Sequence, residues 1–322
     1  MGKLKTTKLF YTSDLHASTV CFKKFINAGK LYGADALIIG GDLTGKAVVP
    51  IVQTSADTYE IKEYLGGSIL QGKEKLNDAR KAIEDAGYYS YVCSPDEYSE
   101  LKNNNAKLDA LFEQLELEKI KEWLTLAGNR LKGTNSKLYI MAGNDDSQVI
   151  VESLESGQSE HVIHCESKVV LIDGTYEMIS CGYSNVTPWR CPRDVEEYDL
   201  LRIIDETASK VGKMETAIFN LHVPPVSSGI DVAPAVDYTT WKPITHGGEP
   251  RMIPVGSTAV RTAIDTYQPL VSLHGHVHES KGIYKLGRTL CINPGSEYQE
   301  GILRGVIVTL SGTKVEFAFT SG

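Results

Sequence analysis

Short apolar runs, each closed by a turn rich in Gly, Asp, Asn or His, recur along the whole chain. Leu9-Phe10-Tyr11-Thr12, Ala36-Leu37-Ile38-Ile39, Leu138-Tyr139-Ile140-Met141, Ala217-Ile218-Phe219-Asn220-Leu221 and Pro269-Leu270-Val271-Ser272-Leu273 show little polar alternation and read as buried strands. Helical spacing takes over between them. Ser18 can cap a helix that buries Phe22, Phe25, Ile26 and Tyr32. A helix over 74–86 turns Leu76, Ala79 and Ile83 inward and stops at Gly87. Ser94-Pro95-Asp96-Glu97 combines an N-cap, a first-turn Pro and a capping-box acid. The helix it opens runs toward Ala127 with Leu108, Leu111, Phe112, Leu115, Ile120, Trp123 and Leu124 inward, loosened at Asn103-Asn104-Asn105. Asp194 and Glu197 form a second capping-box pattern, for a helix reaching Val211 before Gly212, and Ser257 starts one that buries Val260 and Ile264. Hairpins are predicted over 48–61 and over 169–181, the latter turning at Asp173-Gly174, and consecutive antiparallel strands from 283 to 319.

Strands alternating with helices make this an α/β chain. Residues 44–136 hold no cluster of catalytic residue types and read as a largely helical insertion in a single domain spanning 1–322, its start, 43–67, rimming the site. Residues 223–256, rich in Pro and Gly and carrying Tyr238, Trp241 and His246, read as a long irregular loop of the kind that often serves function.

Composition narrows the class. A chain of 322 residues, 42% hydrophobic and 23% charged, suits a soluble globular protein with a sizeable core. A formal net charge of −8 argues against a general polyanion binder, so a nucleic-acid partner is not expected. The six cysteines form no C-x-x-C pair and read as reduced thiols of a cytoplasmic protein. Neither a signal-peptide core nor a membrane-length apolar run is evident, so no membrane association is expected.

The chemistry sits where the apolar runs end. Asp14 and His16 follow the first run, Asp42 follows Gly40-Gly41, Asn144 follows Gly143, His222 closes the fourth run, and Gly275-His276-Val277-His278 follows the fifth. In extended backbone, residues i and i+2 point the same way, so Asp14/His16 and His276/His278 can each present two ligands to one space. Any one of these residues alone reads as a turn or a cap. Strand ends at one edge of an α/β sheet lie close together, however, and that edge is where such folds place their sites. Three oxygen donors and four imidazoles are too many for one tetrahedral zinc with an open position. They suit two divalent ions about 3.5–4 Å apart, bridged by a carboxylate. His161 and His164, beside Cys165, have no partner pair and do not read as a zinc site.

Asp14-x-His16, Gly41-Asp42, Gly143-Asn144, His222 and Gly275-His276-x-His278 resemble, in order and spacing, the motif set of the calcineurin-like metallophosphoesterase superfamily. Ser184-Asn185-x-Thr187-Pro188, His222-x-Pro224-Pro225, His278-Glu279-Ser280 and Asn293-Pro294-Gly295-Ser296 further resemble its Icc-related phosphoesterase branch. The resemblance implies a four-layer αββα sandwich of two mixed sheets flanked by helices. It implies that Asp14, His16 and His278 hold one metal ion, that Asn144, His222 and His276 hold the other, and that Asp42 bridges them. The mixed N/O set suits manganese, iron or zinc. A hydroxide generated between two such ions would attack the phosphorus of a small phosphate ester, most naturally a phosphodiester.

The chain departs from the family's pattern at Asp145, because many members carry a histidine directly after the Gly-Asn pair. A carboxylate there would repel phosphate. Asp145 is expected to turn away into a hydrogen-bonding role, the alternative being a protonated carboxyl acting as an acid. A site without the histidine should favour substrates with good leaving groups. Asn185 and His246 are candidate substrate contacts, and His274 reads as a strand residue beside the site. A non-catalytic binding scaffold of the same fold and a nuclease are the competing functions.

Overall fold

Two six-stranded sheets absorb the apolar runs. The computed structural model describes residues 5–62, 64 and 66–322, so the stretch expected to rim the site is described except at positions 63 and 65. The first sheet runs, edge to edge, Lys314–Ser321, Arg304–Ser311, Thr7–Thr12, Ala36–Ile39, Lys137–Ile140, Val162–His164. The second runs Gly282–Leu286, Thr289–Asn293, Val271–Leu273, Ile218–Leu221, Tyr176–Cys181, Val170–Ile172. Parallel pairings dominate the middle of both; antiparallel strands close both edges of the second sheet and one edge of the first, whose other edge strand, Val162–His164, is parallel.

Strand periodicity divides the side chains between layers. Leu9, Tyr11, Ala36, Ile38, Tyr139 and Met141 face the second sheet, where Met178, Ile218, Val271, Leu273 and Ile292 meet them. The intervening Phe10, Leu37, Ile39, Leu138 and Ile140 face helices Thr19–Tyr32, Asn105–Leu131 and Gln148–Ser156. On the far side, Ile179, Phe219, Leu221 and Cys291 pack under helices Glu197–Ala208 and Thr258–Tyr267. The order of layers is therefore helix, sheet, sheet, helix, and central strands buried on both faces explain why their sequences do not alternate.

Between Ala36–Ile39 and Lys137–Ile140 the chain builds more than the expected hairpin. Val48–Ser55 pairs antiparallel with Thr58–Ile61 and parallel with Tyr89–Cys93, while Ser68–Gln71 adds an edge, giving a four-stranded sheet. Ile83 of helix Gly72–Asp85 packs against Val49, Ile51, Tyr59 and Ile61 on that sheet. Helices Pro95–Asn103 and Asn105–Leu131 meet at Asn104, whose side chain caps the second. Trp123 then stacks on Phe22 with ring centroids 4.1 Å apart, tying the long helix to the first sheet's cover.

Two sequence expectations are corrected. The strands after 283 do not form one meander: Gly282–Leu286 and Thr289–Asn293 belong to the second sheet, Arg304–Ser311 and Lys314–Ser321 to the first. Asp194 is not a helix cap. It lies in the short strand Asp194–Val195, the helix begins at Glu197 and ends at Ala208, and the Glu197 carboxylate caps the neighbouring helix through Ser257 Oγ and the N–H groups of Thr258 and Ala259. The 223–256 loop is partly ordered into short antiparallel pairs, one of them Thr245–His246 with Glu249–Pro250.

Candidate metal centre

The register Thr12↔Ile39 and Ile39↔Ile140 aligns the carboxyl ends of three parallel strands, so Asp14, Asp42 and Asn144 emerge side by side. His222 and His276 arrive from the corresponding edge of the second sheet, after Ile218–Leu221 and Val271–Leu273. The approach is close. Gly41 takes φ +106°, and a Cβ at Gly143 would collide with the backbone and carboxylate of Asp42. Asp14, His16, Asp42 and His276 all hold φ between 41° and 66°, a conformation that costs a non-glycine residue about 1–2 kcal/mol.

Two groups of three ligand types converge, Asp14/His16/His278 and Asp42/His222/His276, each with ligand atoms within 4.8 Å of one another. In the first, Asp14 Oδ1 lies 3.5 Å from His278 Nε2, and His16 Nε2 lies 3.3 Å from the same nitrogen. In the second, Asp42 Oδ1 lies 3.3 Å from His222 Nε2. Asp42 Oδ2 reaches back to within 3.6 Å of His16 Nε2, so this carboxylate faces both groups. Asn144 Oδ1 sits 3.0 Å from both His222 Nε2 and His276 Nδ1. All these residues are buried except His276 and His278, which are partly exposed.

Backbone contacts decide which ring atoms face inward. His16 Nδ1 lies 3.1 Å from the Thr44 carbonyl and His222 Nδ1 lies 2.7 Å from the Gly40 carbonyl. Nδ1–H donation to those oxygens leaves each Nε2 facing the cluster, with a lone pair to offer once the ring is neutral. Lone pairs facing lone pairs and carboxylates at 3.0–3.6 Å form a donor set that fits cations. Proton affinities split accordingly. Burial holds His16 and His276 down at about 4. For His222, burial opposes the proton but the Asp42 carboxylate outweighs it and lifts the ring to about 9. Burial would raise the Asp42 carboxyl, yet its His222 neighbour keeps it well below the usual range.

Several residues that frame the cluster carry no sequence signal of their own. The Asp194 carboxylate accepts the Asn144 Nδ2–H at 2.8 Å, which aims the amide oxygen at the two imidazoles. Buried Asp146 accepts N–H groups from Leu43, Thr44 and Gly143 and the Thr44 hydroxyl, joining the Asp42 and Asn144 turns. Arg193, paired with buried Glu166, donates to the Gly143 carbonyl through Nη1 and to the Asn144 carbonyl through its backbone N–H, both at 3.0 Å. The Tyr298 ring lies 4.7 Å from that of His16. A cavity of about 360 Å³ opens beside His278, walled by Lys281, Ser296, Tyr298 and Arg304.

The other candidates fall in different places. Asp145 has the expected hydrogen-bonding role, with Lys46 donating to its carboxylate, but it does not turn away: the carboxylate remains 3.8 Å from His16 Nδ1 and forms a further ligand group with His16 and Asp42. Asn185 is half-buried, one residue from Ser184, whose hydroxyl lies 3.4 Å from His276 Nε2. His246 is exposed on its short strand. His274 is buried, its Nδ1 2.9 Å from the Leu221 carbonyl, as befits a strand residue. His164 is buried beside Glu166 and belongs to no ligand group among the described residues.

No family model matches the chain. An uncharacterised protein of Methanocaldococcus jannaschii is 26% identical over 160 residues, a match covering 49% of this chain and 63% of that protein. One solved crystal structure is similar over 98% of this chain and 99% of its own, with 16% identity and a TM-score of 0.59. The crystal structure of TT1561 from Thermus thermophilus is similar over the same shares, with 13% identity and a TM-score of 0.52. The structure of a novel archaeal phosphodiesterase, at 14% identity and a TM-score of 0.40, superposes too loosely to bear on fold or function. Among the described residues no helix is long and apolar enough to cross a membrane. At these identities the likeness is one of fold: the chain shares a mixed α/β architecture with these structures, and Asp/His groups able to hold metal ions stand at its strand ends.

Proposed function

We propose that this chain is a metal-dependent phosphoesterase whose substrates are small phosphodiesters. The observation that carries the reading is the meeting of two Asp/His groups at one buried edge, with Asp42 facing both. Asp14, His16 and His278 would hold one divalent cation, manganese, iron or zinc. Asn144, His222 and His276 would hold a second, with Asp42 shared. Such ions supply Lewis acidity and lower the pKa of water.

The chain's own part is orientation. Carbonyls of Thr44 and Gly40 fix the rings of His16 and His222, and Asp194 fixes the amide of Asn144. Asn144 offers a neutral oxygen, adding no negative charge beside a phosphate. The cavity beside His278 has room for the organic part of an ester. We read 44–136 as an insertion in one domain, and six free cysteines, five of them buried, suit a cytoplasmic protein.

The test is metal analysis of the purified chain followed by hydrolysis of bis(4-nitrophenyl) phosphate before chelation, after chelation and after restoring manganese. Activity is expected to disappear with the metal and to return with it. Undiminished hydrolysis by chain shown to be metal-free, or none by fully reloaded chain, refutes the reading.

A further inference from the structure

Lys46 is a charge at the cluster that the metal ligand set leaves unused. It follows the Asp42 turn by four residues, and its ammonium contacts the Asp145 carboxylate. The Lys46 side chain is 41% exposed and Asp145 23%, whereas His16 and Asp42 beside them are 0% and 6%. The ion pair therefore stands where the buried cluster meets solvent, at the face a substrate must approach. The pair lies against the cluster: the Asp145 carboxylate that Lys46 holds is 3.8 Å from His16 Nδ1. Asp145 is anchored on the same turn system, its N–H donating to Asp42 Oδ1 at 3.1 Å.

We propose that Lys46 contacts a non-bridging oxygen of the bound phosphate ester, and that Asp145, by offsetting the lysine's charge, sets a preference for monoanionic diesters over dianionic monoesters. The inference rests on the phosphoesterase reading and deepens it. A lysine ammonium is a compact donor that complements phosphate as a point charge. A free lysine at the mouth would welcome the second negative charge of a monoester. With Asp145 beside it, that second charge meets a carboxylate instead. The carboxylate that looks wrong for a phosphate site thereby becomes the element that selects among phosphates.

The experiment uses the full chain reloaded with manganese, with Lys46→Met, Lys46→Arg and Asp145→Asn variants. Bound metal is counted, inorganic phosphate binding is titrated calorimetrically, and kcat/KM is measured on bis(4-nitrophenyl) phosphate and 4-nitrophenyl phosphate. Lys46→Met is expected to keep its metal, weaken phosphate binding about tenfold and lower diester kcat/KM about 100-fold, with Lys46→Arg recovering most of both. Asp145→Asn is expected to shift the monoester-to-diester ratio upward about tenfold. Phosphate binding by Lys46→Met within about twofold of the parent, at equal metal content, overturns the role of Lys46. An unmoved ester ratio in Asp145→Asn overturns the role of Asp145. A gain in metal affinity in Lys46→Met also overturns the proposal, because it marks Asp145 as a ligand that the lysine had masked. If the metal-loaded parent hydrolyses neither ester, the phosphoesterase reading has failed, and the phosphate titration still decides whether Lys46 is an anion contact.

Discussion

Asp194→Asn isolates the orientation of a single amide. One oxygen of Asp194 accepts Asn144 Nδ2–H at 2.8 Å, while the other accepts the N–H of Thr187 at 2.8 Å, that of Cys191 at 3.0 Å and the Thr187 hydroxyl. An asparagine at 194 has one oxygen to share between these sides. Facing it toward Thr187 and Cys191 keeps three bonds and turns its NH₂ against the NH₂ of Asn144. Facing it the other way keeps one bond and sets NH₂ against three donors. The first arrangement wins by two hydrogen bonds, roughly 1–3 kcal/mol. Asn144 then relieves the donor–donor clash by rotating its amide half a turn, which takes Oδ1 away from His222 and His276. Changing such an orienting partner costs about 10–100-fold in metal affinity. Competition with a calibrated chelator, read by metal analysis, is the assay, and urea unfolding of the metal-free chain is its control. The metal-free chain is expected to lose about 1–3 kcal/mol, from bonds to a charged acceptor becoming bonds to a neutral one. Metal affinity within about twofold of the parent would show that Asp194 does not set the amide and would refute the reasoning.

Other expected outcomes follow from the same geometry. Near neutral pH the His222 ring, at about 9, must lose a proton to bind metal, and Asp14 outweighs burial to raise His278 as well. Apparent metal affinity should therefore climb with pH, roughly tenfold per unit for each displaced proton, and level off above about 9, whereas a flat profile from pH 7 to 9 contradicts this. Asp42→Asn should cut bound metal at both groups and lower diester hydrolysis by at least about 100-fold, while His246→Ala, outside the cluster, should change neither. Burial, helped by Asp146, pushes Glu116 up from 4.5 to about 8. The folded chain then holds a proton the unfolded chain has released, so stability declines as pH rises through that interval. Glu116→Gln should abolish the decline and, by thermal unfolding, exceed the parent by about 4–5 kcal/mol at pH 9 while matching it near pH 4. Equal stabilities at pH 9 would contradict this.

What could be read from residue order was set by short-range rules. Asp14, His16, Asp42, Asn144, His222, His276 and His278 stand out because each closely follows an apolar run, and strand ends in parallel register share an edge. The framing residues obey no such rule. Asp145 and Asp146 are adjacent carboxylates, and only tertiary approach decides that Asp146 enters the Thr44 turn, 102 positions away, while Asp145 stays at the rim. Asp194 and Glu197 fit a capping box by spacing, but the strand pairing Ser184↔Asp194 takes Asp194 out of the helix and turns it to Asn144. Lys46 carries no signal in residue order, and only the fold brings Asp145 to it. The four-stranded sheet after Ala36–Ile39 was hidden for a related reason, since its parallel partner Tyr89–Cys93 lies beyond a helix.

Because the first sheet supplies Asp14, Asp42 and Asn144 and the second supplies His222 and His276, bound cations would rivet the two halves of the sandwich together along one rim. Their binding energy would add directly to the stability of the folded chain, growing with the logarithm of free metal concentration. A chelated chain would be stripped of that fastening at the rim where Asp14, His16, Asp42 and His276 are held in left-handed backbone, and sheet separation on heating would begin there, ahead of the helices on the outer faces.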